Sequence, residues 1–228
     1  MPSIDVVIPA LNEERALPYV LRDIPRPPVR RVVVADNGST DATATVAETH
    51  GAEVVQEHER GYGAACLRAL DHLASDPPDI VVFLDGDYSD HPDELPSLVE
   101  PILEGTADLV IGSRAIGSAE RGALSPQQRI GNAVASGALR VLYGAHYTDL
   151  GPFRAIRWET LQRLHMCDRN YGWTVEMQIK AARRRVPYAE VPVSYRRRIG
   201  VSKVSGTVRG SVSAGLKILW LLGRYAWR

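Results

Sequence analysis

Two aspartates separated by one glycine, Asp85 and Asp87, directly follow the apolar residues 80–84. Carboxylates at this spacing can converge on a hard divalent cation, and Gly86 lets the backbone approach a ligand closely. An Asp-x-Asp sequence alone is weak evidence, because acidic turns are common. The apolar strand predicted before it would place both carboxylates at the rim of a buried sheet, where ligands bind. We therefore predict a Mg²⁺ or Mn²⁺ site at Asp85 and Asp87, where the metal would offset the charge of a diphosphate.

A second acidic residue, Asp36, ends another apolar run, residues 31–35. A carboxylate only accepts hydrogen bonds, which suits the donor groups of a ribose or a base. The sequence Asp36-Asn37-Gly38 could instead form an ordinary Asx turn. Asp36 is therefore a candidate nucleoside contact, with the turn as the alternative.

Short apolar runs alternate with helix-like segments along the first half of the chain. The predicted strands there are residues 4–8, 31–35, 54–55, 80–84 and 108–112. A first helix ends at residue 21, and the others cover residues 42–50, 61–73, 92–103 and 127–143. Uniformly apolar strands between helices indicate a mainly parallel sheet covered on both faces, and hence a nucleotide-binding, Rossmann-like α/β fold. The second half is predicted to add strand 153–156, helices 158–164 and 174–184, and strand 188–195 to the same domain.

The composition excludes several classes of protein. A chain of 228 residues, 45% of them hydrophobic, fits one domain with an ample core. Its 27 basic and 27 acidic residues cancel, so no nucleic-acid partner is expected. Two widely separated cysteines fit a reducing compartment, and we expect a cytoplasmic protein without an export signal. No apolar run reaches the roughly 18–20 residues that span a bilayer.

The C-terminal residues 211–228 are predicted to form an amphipathic helix. Between residues 215 and 227, tryptophan and tyrosine side chains lie among apolar residues and two cations. This pattern is typical of a helix at a membrane interface, here the inner face, and a helix that completes the core is the alternative. Residues 183–209 carry eight basic side chains against the single acidic Glu190, and such cations would favour an anionic membrane.

Six ordered segments resemble family 2 glycosyltransferases, and within them the branch similar to dolichol-phosphate mannosyltransferases and polyprenyl-phosphate glycosyltransferases. The segments are DVVIPALNE (5–13), VVVADNGSTDAT (32–43), GYGA (61–64), LDGDYSDHPDE (84–94), GSR (112–114) and TDLGPFRA (148–155). The resemblance extends from residue 3 to about residue 206. It implies a glycosyltransferase-A type fold, a nucleotide-diphospho-sugar donor, a divalent metal and inversion at the anomeric carbon.

The same resemblance assigns residues to the donor end of the site. The implied nucleotide-sugar contacts are Pro9, Leu11, Asn12, Glu13, Asp36, Gly61, Asp85 and Gly86. Asp85 and Asp87 match the metal and diphosphate motif, and Asp87 is also a predicted catalytic residue. A glutamine that helps to hold the metal in the dolichol-phosphate enzymes is replaced here by Ser89. Water or a neighbour such as Asp90 would then complete the metal shell.

The acceptor end is assigned to Ser113, Arg114 and Asp149. Ser113-Arg114 matches the family's Gly-Ser-Arg, and the rigid fork of an arginine pairs two phosphate oxygens at once. An exposed ion pair at a strand end is the alternative for Arg114. Asp149 is the candidate base for a hydroxyl acceptor, whereas a phosphate acceptor is already ionised and needs no base. In that second case Asp149 would orient the acceptor or the arginines.

Two further segments are implied to line the acceptor side. Trp173 and Glu176 lie in an aromatic-x-x-Glu segment, for which a role as ordinary first-turn helix residues is the alternative. Arg198, Ser202 and Lys203 belong to a basic segment that resembles the mobile acceptor loop of the same enzymes. Such a charge run could also be a solvated surface.

These assignments predict a metal-dependent, inverting glycosyltransferase that moves a hexose from a UDP- or GDP-sugar to a polyprenyl phosphate. Residues 1–115 would bind the nucleotide-sugar and residues 116–210 the acceptor. A soluble or hydroxyl acceptor, and a non-catalytic nucleotide-sugar-binding protein, are the alternatives. A nucleotidyltransferase is disfavoured, because residues 9–13 lack the glycine-rich basic loop that such enzymes place after the first strand. The sequence leaves peripheral membrane contact and homo-oligomer formation open.

Overall fold

Seven strands form one sheet in the computed structural model, which describes residues 2–200, 215, 217, 218 and 220–225. The strands are β1 (Ile4–Ala10), β2 (Val29–Asp36), β3 (Glu53–Gln56), β4 (Ile80–Phe83), β5 (Leu109–Ala119), β6 (Arg154–Arg157) and β7 (Tyr188–Tyr195). The helices are α1 (Leu17–Asp23), α2 (Thr43–Thr49), α3 (Tyr62–Leu73), α4 (Leu95–Leu103), α5 (Pro126–Tyr143), α6 (Trp158–Leu164) and α7 (Trp173–Arg183). The described residues between 215 and 225 are also helical.

The strand order is β3-β2-β1-β4-β6-β5-β7. Strand β6 runs antiparallel to β4 and β5, whereas the other neighbouring pairs of the described sheet are parallel. The carboxyl ends of the parallel strands therefore lie at one edge of the sheet, which we call the carboxyl edge. Because β6 runs in the opposite direction, the segment that leads into β6 lies at the same edge. The mainly parallel sheet of a single α/β domain, predicted from the sequence, is confirmed.

Apolar side chains cover both faces of the sheet, which explains why its strands are uniformly apolar. Along β1, Val6 and Ile8 belong to one buried cluster with side chains of α1 and α4. Val7, between them, belongs to a second cluster with side chains of α3 and α7. Each such side chain contributes roughly 1.5–3 kcal/mol on full burial, so both faces stabilise the same strand.

Strand β5 is longer than the predicted strand 108–112, and its extension holds part of the carboxyl edge. It pairs with β7 beyond an irregularity between Ser113 and Ser118. At Gly117 a Cβ atom would lie 2.1 Å from the carbonyl oxygen of Val193, so only glycine permits this approach. The extension therefore keeps Ser113 and Arg114 in the sheet rather than in a free loop.

The start of α3 packs directly on the backbone of residues 168–170. The Ala64 N–H donates to the carbonyl oxygen of Arg169 at 2.9 Å. A Cβ atom on Gly63 would lie 1.9 Å from the carbonyl oxygen of Asp168, and one on Gly61 would lie 2.0 Å from that of Arg169. These two glycines therefore permit the close approach of α3 to the second half of the chain.

We expect Gly63→Ala to destabilise the fold, because the added methyl group would displace backbone rather than a flexible side chain. Overpacking of this kind lowers the free energy of unfolding by about 1–3 kcal/mol. In a chain of this size, each kcal/mol lowers the Tm by about 2–4 °C. The matched control is Gly137→Ala in α5, where nothing lies within 4 Å of the added Cβ and helix propensity improves. Thermal unfolding followed by circular dichroism measures both variants. Equal Tm values for the two would contradict the close approach.

The described C-terminal residues pack on the core with one side and face solvent with the other. Leu221 and Leu222 are buried, and the Tyr143 hydroxyl donates to the carbonyl oxygen of Leu222 at 2.6 Å. Trp220 is 51% exposed, with the charged groups of two basic side chains 5.0 and 4.8 Å from its ring centre. Among the described helices none is long and apolar enough to cross a bilayer. The helix predicted over 211–228 is thus seen in part, and its contact with a membrane stays a prediction.

Candidate active site

Loops at the carboxyl edge bring together most of the predicted site residues. The predicted donor and metal contacts lie in the last residues of β1 and β2, in the loops after β1 and β4, and at the start of α3. Arg114 lies in β5, Asp149 lies in the segment before β6, and Arg198 follows β7. Ser202 and Lys203 lie outside the described residues.

The loops after β1 and β2 are fastened to each other. The Asn12 N–H donates to the Ser39 hydroxyl at 2.9 Å, and the Asn12 side-chain oxygen accepts from the Thr40 N–H at 2.8 Å. The Glu13 N–H donates to the Thr43 hydroxyl at 2.8 Å. Two of the predicted nucleotide contacts, Asn12 and Glu13, therefore lie at the junction of these loops.

Asp36 forms a side-chain turn with the loop that follows it, one residue longer than the Asx turn expected as its alternative. Its Oδ1 accepts from the Ser39 N–H at 2.9 Å, and the side chain is buried. In the sheet Asp36 pairs with Ala10, so it lies beside the partly buried Pro9 and Leu11. The turn fixes the carboxylate at the carboxyl edge, where its contact with a nucleoside stays a prediction.

Asn37 has a larger structural role than its sequence suggested. Its side-chain nitrogen donates to the carbonyl oxygens of Glu57 and Glu59 at 3.2 and 2.7 Å. Its side-chain oxygen accepts from the Gly61 N–H at 2.8 Å. Asn37 thus sets the position of Gly61 relative to β2. The sequence did not indicate this role. Asn37 lies in a turn-like Asp-Asn-Gly sequence, and its hydrogen-bond partners are distant in the chain.

The Asp-Gly-Asp loop after β4 is held by two polar neighbours. The Tyr62 hydroxyl donates to Asp85 Oδ1 at 3.1 Å. Asp87 Oδ1 accepts from the N–H and the hydroxyl of Ser89 at 2.9 and 2.5 Å. Ser89, which stands where the resemblance to the dolichol-phosphate enzymes implies a glutamine, therefore shapes the loop by holding one oxygen of Asp87. The position of Gly86 is tight, since a Cβ there would lie 3.3 Å from a β1 side chain.

Negative charge is concentrated in this loop. Burial, and then the charge of Asp87, raise the pKa of Asp85 to about 7. Asp90 is 1% exposed, and neither of its carboxylate oxygens has a hydrogen-bond partner in the described structure. Burial, followed by the charges of Asp85 and Asp87, also raises the pKa of Asp90. A hard divalent cation at this loop would compensate these carboxylates, so the residues fit the predicted metal.

The described residues supply only part of a metal shell. They contain no group of three acidic, histidine or cysteine side chains that could hold an ion. Mg²⁺ is commonly bound by one or two carboxylates, with water and substrate phosphates as the other ligands. Asp85 and Asp87 would therefore hold the metal together with a bound diphosphate, as expected for a site that binds metal and nucleotide jointly.

Arg114 and Asp149 form a two-pronged ion pair at the carboxyl edge. Arg114 Nε and Nη2 donate to the two oxygens of Asp149 at 2.8 and 2.7 Å, and the Arg114 N–H donates at 2.8 Å. Burial opposes ionisation of Asp149, but its hydrogen bonds to Arg114 lower its pKa. Ser113, adjacent to Arg114, shares a 2.6 Å hydrogen bond with Thr148. A carboxylate engaged in this way is suited to orienting Arg114 more than to accepting a proton.

Three polar side chains, the buried Gln178 and Arg154 and the partly buried Glu190, position the segment that carries Asp149. Glu190 accepts from the Thr148 and Asp149 N–H groups at 2.9 and 3.3 Å, and the Gln178 amide donates to the Asp149 carbonyl at 2.8 Å. Arg154, fully buried, donates to three backbone carbonyls. Sequence reasoning missed Glu190 and Gln178. The one available signal was that Glu190 is the single acidic residue of a basic stretch.

The structure encloses Trp173 and Glu176 in the interior. Trp173 packs edge-on against Phe83 at 5.9 Å between ring centres and is 1% exposed. Glu176 is fully buried and accepts from Lys180 at 2.8 Å and from the Asp168 N–H at 2.8 Å. Their predicted contact with an acceptor is corrected accordingly, because neither side chain is open to a ligand. Both support the fold around the start of α7.

The basic segment after β7 reaches residues 85–90, which we call the metal loop because they include the predicted metal contacts Asp85 and Asp87. Arg198 Nη2 lies 2.8 Å from Asp87 Oδ2. The Arg196 guanidinium lies over the Tyr88 ring at 3.7 Å. Of the three predicted residues in this segment, Arg198 is therefore placed beside an acidic residue predicted for the metal.

Comparison with known proteins identifies the class of protein to which this site belongs. The profile of glycosyl transferase family 2 matches residues 5–190, and the chain belongs to this family. It is 42% identical over 214 residues to an uncharacterized glycosyltransferase of Mycobacterium tuberculosis, covering 93% of this chain and 94% of the relative. It is 36% identical over 209 residues to a dolichyl-phosphate hexose transferase of Haloferax volcanii, covering 90% and 88%.

A solved structure extends the similarity to the whole fold. Glucosyl-3-phosphoglycerate synthase from Mycobacterium tuberculosis, in complex with Mn²⁺, UDP-glucose and phosphoglyceric acid, superposes with a TM-score of 0.77 at 26% identity. The match covers 99% of this chain and 80% of the synthase. The predicted glycosyltransferase-A type fold and the glycosyltransferase class are thereby confirmed.

Proposed function

We propose that the protein is a metal-dependent, inverting hexosyltransferase that uses a UDP- or GDP-sugar and transfers the hexose to a polyprenyl phosphate. The observation that carries the proposal is the arrangement of two charged centres on one edge of the sheet. The Asp85 and Asp87 loop supplies the metal end, and the Arg114–Asp149 pair supplies a cation for the acceptor. The Arg114 guanidinium lies over the Tyr195 ring at 4.9 Å, and Tyr195 forms a β-bridge with Asp90, close to Asp87 in the chain, so the two centres are neighbours.

The donor end binds the nucleotide through the loops after β1 and β2. Asp36 and Asn12 lie where ligands bind in such sheets and would contact the nucleoside. Asp85 and Asp87 hold Mg²⁺ or Mn²⁺, which, when bound, stabilises the charge of the departing nucleoside diphosphate. The complex of the synthase with Mn²⁺ and UDP-glucose supports this assignment.

The state of Asp149 favours a phosphate as the attacking group. A hydroxyl acceptor must lose a proton, but both oxygens of Asp149 already accept from Arg114. A phosphate monoester is largely ionised near neutrality and needs no base. Its oxygen attacks the anomeric carbon from the side opposite the nucleotide. The bond from that carbon to the β-phosphate oxygen breaks, the nucleoside diphosphate leaves with the electron pair, and the configuration inverts.

The helix α5 exposes apolar side chains and adjoins the segment that carries Asp149, which supports a lipid acceptor. Asn132 of α5 donates to the Thr148 carbonyl and accepts from the Leu150 N–H, both at 2.9 Å. The large apolar residues that α5 exposes are Ile130, Val134, Val141 and Leu142. Its charged residues are two arginines and no acid. An apolar, cationic helix attached to the Asp149 segment suits the surface of an anionic membrane, where the lipid tail would remain. We place the protein in the cytoplasm, at the inner face of the membrane.

A soluble acceptor is the second candidate. The synthase that resembles this chain over its whole length was solved with phosphoglyceric acid, whereas the relative from Haloferax volcanii is a dolichyl-phosphate hexose transferase. The two candidates differ in the attacking group. We favour the phosphate because of the contacts of Asp149.

The acceptor class is tested by offering radiolabelled UDP-glucose or GDP-mannose with Mn²⁺ to three samples. They contain undecaprenyl phosphate in detergent, phosphoglyceric acid, and buffer alone. We expect label to enter the organic phase only with the lipid phosphate. Label on phosphoglyceric acid alone would establish the second candidate. No transfer and no donor hydrolysis in any sample would overturn the proposal of a hexosyltransferase and favour a non-catalytic binding protein.

We expect Val141→Asp to weaken association with anionic vesicles about tenfold, because it removes apolar contact and adds repulsion of about 1 kcal/mol. Val141 is 82% exposed, so the fold should tolerate the change. The matched control is Leu103→Asp, an exposed apolar residue at the end of α4. Vesicle co-sedimentation with phosphatidylglycerol measures both, and donor binding should be unchanged. An equal loss in both variants would remove α5 as the membrane contact.

A further inference from the structure

We propose that Arg198 acts as an internal counter-cation on Asp87 in the donor-free protein, so that metal binds strongly only when it arrives with a nucleotide diphosphate. On this view Arg198 leaves Asp87 as the metal binds and pairs instead with the diphosphate. This inference rests on the proposed function. It adds that the metal binds strongly only together with the nucleotide diphosphate, and it assigns this dependence to Arg198.

The contacts of Asp87 leave little room for a second cation. Its Oδ2 lies 2.8 Å from Arg198 Nη2, and its Oδ1 accepts from the N–H and the hydroxyl of Ser89. The Asp87 side chain is only 5% exposed, and that of Arg198 is 26% exposed. A buried carboxylate requires a partner, and here the guanidinium supplies the positive charge that a metal would supply.

Arg198 is held in this place by its backbone. The Ile199 N–H donates to the Asp87 carbonyl at 2.9 Å, and the Arg196 N–H donates to the Ser89 carbonyl at 2.9 Å. Residues 195–199 therefore run along the metal loop and bond to it on both sides of Arg198. An arginine on a solvated surface would not have backbone hydrogen bonds on both sides that fix its position against another loop. The sequence alternative of a solvated charge run accordingly does not describe Arg198.

A metal ion and Arg198 compete for the same oxygen of Asp87. Two cations a few ångströms apart repel each other, and one carboxylate oxygen cannot satisfy both fully. A diphosphate changes this balance, because its oxygens coordinate the metal and also accept from a guanidinium. Gly200 follows two residues later with a φ of 92°, a conformation that favours glycine.

The neighbouring Arg197 provides a matched control, because it points away from the metal loop. Its N–H donates to Glu120 Oε2 at 3.0 Å, and its guanidinium donates to the Arg121 carbonyl at 3.0 and 2.7 Å. The two arginines are adjacent in sequence and carry the same charge. Of these two arginines only Arg198 contacts Asp87, so a specific effect on metal binding should follow Arg198 and not Arg197.

The test is a calorimetric titration of the full chain with Mn²⁺, without and then with UDP. We expect Arg198→Gln to bind Mn²⁺ alone about tenfold or more tightly than the wild type, since a like charge beside the ion is gone. The same variant should bind UDP at saturating Mn²⁺ about tenfold more weakly, because a charged phosphate contact is lost. Arg197→Gln should match the wild type in both titrations, and Arg198→Lys should fall between. General damage to the site cannot produce changes of opposite sign.

Two results separate the failure of this inference from failure of the proposed function. If the wild type binds Mn²⁺ together with UDP but Arg198→Gln binds Mn²⁺ alone no more tightly than it does, the counter-cation role is overturned and the proposed function stands. If the wild type binds no Mn²⁺ even with UDP or GDP present, both are overturned.

Discussion

Asp87→Ala should reduce hexose transfer by about 10³-fold, and the residual rate should no longer depend on Mn²⁺. Asp87 is one of two carboxylates that hold the metal in the proposed site, and the leaving diphosphate has no other described source of divalent charge. The loss should be in kcat as well as in donor affinity, because the charge on the leaving group develops during the reaction. Initial rates with and without EDTA measure the effect.

Asp93→Ala is the control for this prediction. Asp93 lies in the same stretch of sequence, but its side chain is 67% exposed. We expect transfer within about twofold of the wild type, as for a surface substitution. Asp87→Asn should reproduce the loss while keeping a side-chain oxygen for the Ser89 N–H, which separates loss of metal from loss of the loop. A metal-dependent rate near the wild-type value in Asp87→Asn would contradict the assigned role.

Asp149→Asn should destabilise the protein by about 3–5 kcal/mol, because it leaves the largely buried Arg114 without its charged partner. Hexose transfer should fall about 10²-fold as Arg114 loses its orientation, whereas binding of the nucleotide with Mn²⁺ should stay within about threefold. Urea unfolding, transfer rates and calorimetry measure the three effects. The double variant Arg114→Met with Asp149→Asn should be less destabilised than the sum of the single changes, as for groups in contact.

The same variant distinguishes orientation from proton transfer by Asp149. If Asp149 orients Arg114, the pH dependence of transfer to a phosphate acceptor should keep the shape of the wild type. A residual transfer rate that lacks the acidic limb of the wild-type pH profile, in a variant as stable as the wild type, would indicate a general base. That outcome would move the acceptor towards a hydroxyl.

The parts of the fold that could be predicted from the sequence are those in which the pattern of apolar residues follows from burial. Apolar side chains in consecutive positions of β1, β2 and β4 predicted a sheet covered on both faces, and the observed clusters explain the pattern. The place of β6 between β4 and β5 could not be predicted, because strand pairing depends on contacts between distant segments. The helix predicted over 92–103 opens instead with a 3-10 turn, Pro92–Glu94. Pro96 has no N–H with which to form the first helical bond.

The site could be predicted where a residue type at a strand end determines its chemistry. Asp85 and Asp87 were predicted in this way, because they follow the apolar strand β4, whereas Arg114, which lies in β5, was predicted from the match of Ser113-Arg114 to the family's Gly-Ser-Arg. The pair between Arg198 and Asp87 was not predicted, since it joins loops far apart in the chain. Nor was the burial of Glu176, because an acidic residue in a first helical turn is usually exposed. Only the structure shows that Lys180 compensates its charge.

Calorimetric binding of UDP-glucose and GDP-mannose to the wild-type chain, with Mn²⁺, with Mg²⁺ and with EDTA, tests the donor and metal sites together. We predict that one of these donors binds in the presence of metal, that EDTA abolishes the binding, and that Asp87→Ala abolishes it as well. Binding of neither donor under any metal condition would contradict the assignment of the donor and metal sites, and with it the proposed function.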